Sequence, residues 1–191
     1  MKKKYLALVV AIALVLGCVV GGTVAWLTAN TNPLVNTFTA GNIDITLAET
    51  TTAYKMVPGE TIAKDPKVTV EAGSEACWLF VKVDKSTNYG TYLNEPAIIV
   101  GEGGWTKLEG VDNVDNVYYR KVAANVNEDQ PFQVLVDNKV TVNEDVTKEQ
   151  MDNITNKTVD NPTLTFTAYA IQQSSFDTAL AAWTEISTPA L

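Results

Sequence analysis

The chain has 191 residues, 22 acidic against 14 basic, a formal charge of -8 and no histidine. An acidic surface disfavours nucleic acid and anionic membranes as partners. Without histidine, the commonest zinc ligand and the base of Ser-His-Asp or Cys-His catalysis are both missing.

Lys2, Lys3 and Lys4 open the chain, and residues 5–20 are apolar or small without interruption. Gly21, Gly22 and Thr23 follow, with Ala25 closing the segment. A basic start, an apolar run and a small-residue end predict a secretory signal peptide over residues 1–25, cut between Ala25 and Trp26. Two alternatives stay open for this stretch. A retained membrane anchor has the length but is weakened by Gly17, Gly21, Gly22 and Thr23. Lipidation of Cys18, which follows Val15, Leu16 and Gly17, would make a surface-tethered binding module. After cleavage only Cys77 remains, and its apolar surroundings predict a buried thiol.

Residues 26–37 are uncharged and have no helical period, which predicts an extended segment. Its apolar residues Trp26, Leu27, Leu34 and Val35 are candidates for assembly. From residue 38 a β domain is expected to run to 191. Ile43, Ile45 and Leu47 alternate with Asp44 and Thr46 as in a half-buried strand. Val57, Pro58, Gly59 and Glu60 predict a type II turn. Residues 68–70 predict a short strand, residues 72–74 a loop, and the run 76–83, apolar on both faces, a central strand. Weaker strands are expected at 97–100, 117–122, 132–136 and 140–142. Gly101, Gly103 and Gly104 predict a flexible turn, with Trp105 near the surface, whereas Trp78 and Trp183 read as core. Thr147 and Gln150 have the spacing of a capping box for a helix over 147–154. Residues 163–171 form a strong strand pattern. Residues 175–183 predict a helix capped by Ser175, with Phe176, Leu180 and Trp183 on one stripe.

Many short strands separated by turn signals indicate an all-β sandwich or barrel. Candidate chemistry is sparse. Asp112 and Asp115, in the run Asp-Asn-Val-Asp-Asn, are candidate Ca²⁺ ligands, although the spacing is not that of an EF-hand. Cys77 lacks a neighbouring cation that would activate it. No cofactor is otherwise expected.

Residues 21–28 (Gly-Gly-Thr-Val-Ala-Trp-Leu-Thr) and 36–45 (Asn-Thr-Phe-Thr-Ala-Gly-Asn-Ile-Asp-Ile) resemble the start of the TasA and camelysin family. Those proteins are exported by Gram-positive bacteria with a SipW-type signal peptide. The turn at 57–60 and the segments 165–172 and 176–183 resemble further family features. The resemblance implies a jelly-roll-like β-sandwich, here with one or two short helices, that forms extracellular fibres in a biofilm matrix. It implies copies of itself and other matrix proteins as partners, with signal peptidase acting during export. Membrane contact would come only through an uncleaved leader. Members of the camelysin branch are also described as metallopeptidases, and the missing histidines argue against that activity here. A catalytic site is therefore not expected.

Overall fold

The computed structural model describes residues 42–51, 54–110 and 116–187. The expected leader, the 26–37 segment, Cys18, Asp112 and Asp115 lie outside them.

Nine strands form three antiparallel sheets among these residues. β1 (Ile45–Ala48), β3 (Lys67–Val70) and β7 (Gln130–Gln133) make one, in the order β1-β3-β7. β2 (Thr61–Ala63) pairs with β8 (Lys139–Thr141). The largest sheet has the order β5-β6-β4-β9, with β4 (Cys77–Lys85), β5 (Thr106–Lys107), β6 (Val117–Val122) and β9 (Leu164–Gln172). Three short helices accompany them: α1 (Tyr89–Tyr92), α2 (Lys148–Thr155) and α3 (Ala179–Ser187). The all-β class with short helices is thus as the sequence indicates.

β4 explains the layering. Side chains alternate across a strand, and both of its faces are apolar. Cys77, Leu79, Val81 and Val83 join Val68 and Val70 of β3 in the main core, between the two larger sheets. Trp78 and Phe80 point the other way and are covered by Ala179, Ala182 and Trp183 of α3. The helix is held there by edge-to-face and tilted ring contacts of Trp183, with centroids 5.3 Å from Tyr169 and 5.4 Å from Phe80. Burying each such side chain contributes about 1.5–3 kcal/mol.

Local signals are met where the chemistry is local. Glu60 N–H donates to the Val57 carbonyl at 3.0 Å, and Gly59 takes a φ of 77°, closing the predicted turn. At α2, Gln150 N–H donates to Thr147 Oγ1 at 3.2 Å, and Thr147 N–H donates to Gln150 Oε1 at 2.8 Å.

Four expectations need correction. Trp105 is 0% exposed, not near the surface. Its N–H pairs with the Ile99 carbonyl across the glycine turn, which swings the indole inward, where Nε1 donates to the Gln133 carbonyl at 2.8 Å. The strand expected at 132–136 begins and ends earlier, as β7. Val134 and Leu135 are consecutive and both fully buried, so the alternation stops, and positive φ at Asp137 and Asn138 reverses the chain. Pro131 sits in β7, which is an edge strand, where its missing donor is tolerated. Residues 97–100 form only isolated bridges, Ile98 to Leu135 and Val100 to Trp105. Lastly, Ser175 does not cap the C-terminal helix. Residues Gln173–Ser175 make a 3₁₀ turn, and α3 starts later, with Thr178 Oγ1 accepting from Ala181 N–H at 3.2 Å.

Candidate functional site: an unprotected sheet edge

β9 reads Leu-Thr-Phe-Thr-Ala-Tyr-Ala-Ile-Gln, nine residues without a charge or a proline. It pairs with β4 along its whole length, from Lys85 opposite Leu164 to Cys77 opposite Gln172. Among the described residues no strand is hydrogen-bonded to its other side. Phe166, Ala168 and Ala170 face the main core, while Tyr169 and Ile171 pack toward α3. The strand is therefore fixed in register against β4 and packed on both faces.

Other sheet edges carry features that discourage pairing: β5 is two residues long and contains Lys107, β2 is only three residues long, β7 contains Pro131, and β8 contains Lys139. Charge, proline and shortness all protect a sheet edge from a second chain. β9 has none of these. β1, also at a sheet edge and uncharged, runs close to β9, with Cα atoms within 8 Å. The two least protected edges thus share one side of the sandwich.

Reactive chemistry is weak by comparison. Burial pushes the Cys77 thiol up to about 11, so at neutral pH it is not a thiolate. Arg120, on β6, points into the sandwich, with its guanidinium 3.7 Å from the Phe132 ring centroid and 5.6 Å from that of Trp105. Among the described residues it has no ion pair, its Nε lacks an acceptor, and burial lowers its pKa. It acts as a packed cation. Asp65 is held below the usual carboxylate range by the Thr50 hydroxyl and N–H, which both donate to it. No group of three Cys, Asp or Glu side chains able to hold a metal occurs among the described residues. With histidine absent from the whole chain, these residues do not fit the donor set of a peptidase zinc.

Of the residues singled out from the sequence, Ala25, Trp26, Leu27, Leu34, Val35, Asp112 and Asp115 fall outside the described residues. The strand pattern at 163–171 was legible, but its edge position was not. The signal available for the latter was the unbroken absence of charge from Leu164 to Gln172. The aromatic residues do not form an exposed platform for a sugar. Trp78 and Trp183 are core residues, as the sequence indicates, and Trp105 joins them.

The fold defines a β-sandwich protein whose longest uncharged sheet edge, among the described residues, is β9. Residues 1–93 of the 191 match the family described as "Camelysin metallo-endopeptidase", so the resemblance to the camelysin family holds over that N-terminal part. Curated proteins give no match. Among solved structures, the chain is similar to "Enterococcal surface protein, partial N-terminal region", at 16% identity and a TM-score of 0.36. That alignment covers 76% of this chain and 42% of the other, so the chain spans less than half of that structure. Among the described residues no helix is long and apolar enough to cross a membrane.

Proposed function

We propose that the protein is secreted and works as a structural subunit, or an accessory subunit, of extracellular fibres of the biofilm type. It joins copies of itself through backbone pairing. The observation that carries this reading is β9, a nine-residue uncharged edge whose outer side pairs with no strand among the described residues. A free edge of that length offers a row of N–H and C=O groups to an incoming strand. The incoming strand is residues 26–37, freed by cleavage at Ala25. Trp26, Leu27, Leu34 and Val35 supply its apolar contacts. Such pairing is head-to-tail and propagates into a filament. Pro33 cannot donate a ladder hydrogen bond, so pairing breaks there or uses one side of the strand.

The test is electron microscopy of the purified exported chain and of a Thr165→Lys/Thr167→Lys variant. Filaments from the parent, and none from a folded variant, support the reading. Filaments from both would move assembly away from β9.

The family description favours a second reading, a metallopeptidase. The donor chemistry of the described residues and the missing histidines weigh against it.

A further inference from the structure

A groove of about 810 Å³ runs between α2, the β2–β8 pair and the start of β9. Its walls are mainly apolar and include Met56, Ile62, Leu93, Met151, Ile154 and Leu164. Two buried donors line it. Tyr89 is 1% exposed, and its hydroxyl has no hydrogen-bond partner. Lys64 is 7% exposed; its ammonium pairs with Glu49 at 2.8 Å and lies over the rings of Tyr54 and Phe166. Glu49 itself is not part of the lining, and neither is any other carboxylate. Lys55, exposed at the groove, has no ion pair among the described residues. In a chain with 22 acidic residues, no carboxylate lines this groove; its polar lining is two lysines, two tyrosines, Asn161 and three threonines.

A buried hydroxyl without an acceptor is costly, and such a group is ordinarily satisfied by protein, water or ligand. The volume and the mix of apolar walls with few polar groups match a small-molecule site. Methionines at two wall positions adapt to a flexible chain. We propose that this groove binds a single-chain anionic amphiphile. Its apolar chain lies along Met56, Met151, Ile154 and Leu164, and the oxygens of its carboxylate head accept from Tyr89 and Lys64. The net charge of the chain repels an anionic bilayer, while the unpartnered Tyr89 hydroxyl and Lys55, which has no ion pair among the described residues, leave the groove a donor and a cation for one anionic head, Lys64 being shared with Glu49. This site is independent of the fibre reading, because it needs no second copy.

The experiment is calorimetric titration of the purified protein with a twelve-carbon carboxylate below its micelle concentration, with the twelve-carbon alcohol as control. One saturable site per chain is expected, with the alcohol weaker. Tyr89→Phe should weaken binding about tenfold, the equivalent of one lost hydrogen bond. Its thermal midpoint without ligand should be unchanged or raised, since the hydroxyl it removes has no partner. Met151→Trp, which fills the groove, should abolish binding. Absence of saturable binding would overturn the proposal. So would equal affinity for the alcohol, or either folded variant binding as tightly as the parent. Binding to anionic phospholipid vesicles without binding of the free carboxylate would assign recognition to a bilayer and overturn it too.

Discussion

Trp105 and Trp183 are both buried, at 0% and 3% exposure, yet their indole N–H groups stand in opposite conditions. Trp105 Nε1 donates to the Gln133 carbonyl at 2.8 Å, whereas Trp183 Nε1 has no acceptor. Replacing each with Phe makes the same covalent change, the loss of two carbons and the N–H. The carbons cost about 1.6 kcal/mol at either site, at about 0.8 kcal/mol per buried carbon. At Trp105 the change also removes a hydrogen bond, about 1 kcal/mol. It weakens the stacking of Arg120, a further ~0.5–1 kcal/mol. The sum for Trp105→Phe is about 3 kcal/mol. At Trp183 the change instead relieves an unsatisfied buried donor, which returns about 1–2 kcal/mol and leaves Trp183→Phe near neutral. Urea denaturation of both variants, read by circular dichroism at one protein concentration, measures the difference, expected near 2–3 kcal/mol on that sum. A Trp183→Phe cost equal to or larger than that of Trp105→Phe would refute the reasoning, because it would mean that the indole N–H plays no part in the balance.

Glycine positions give a second matched pair. A Cβ on Gly104 would lie 2.7 Å from the Ile99 carbonyl oxygen, so Gly104→Ala should cost about 1–3 kcal/mol by forcing the turn apart. A Cβ on Gly90, in α1, meets nothing within 4 Å, so Gly90→Ala should stabilise by about 0.5–1 kcal/mol; thermal melts of the two should move in opposite directions. Alkaline stability is a third expectation. Burial pushes Cys77 up to about 11 from 9.0, and burial with the charge of Glu95 pushes Tyr89 up to about 12 from 10.0. The unfolded chain releases these protons first, so the protein should keep full stability below pH 9 and lose it as pH rises from 9 toward 12. Each group contributes on the order of 2–3 kcal/mol to that loss. Urea midpoints at several pH values should fall over this window, and Tyr89→Phe should show a shallower fall; an unchanged slope would contradict the assignment. Finally, the purified protein incubated with casein and zinc should release no more peptide than a blank, and chelator-sensitive cleavage that co-purifies with it would reverse that expectation.

What the sequence made legible was governed by short-range rules. The capping box at Thr147 and Gln150 and the turn at Val57 to Glu60 formed because their partners are three residues apart. β4 was readable as central because both of its faces are apolar, and α3 and the β3 sheet cover one face each. Trp105 was misread because its place depends on Gln133, 28 residues away, which no local pattern encodes. The start of α3 was misplaced for a similar reason. Phe176 is held by the Trp78 indole, which donates to its carbonyl at 3.1 Å, so helix formation waits until Thr178. The groove at Tyr89 and Lys64 draws its walls from α1, α2, β2, β8 and β9, and no contiguous motif marks it. Of the candidate assembly site, the donor residues could be named from their lack of charge, while the accepting edge emerged only from the strand order.

The most direct test of self-assembly compares a chain beginning at Trp26 with one beginning at Asn36, by light scattering and electron microscopy at matched concentration. The longer chain should polymerise into ordered filaments, and the shorter one should remain folded and monomeric. Identical filaments from the shorter chain would eliminate the donor segment and leave assembly to the sandwich itself. Two stably monomeric chains would contradict the fibre function altogether.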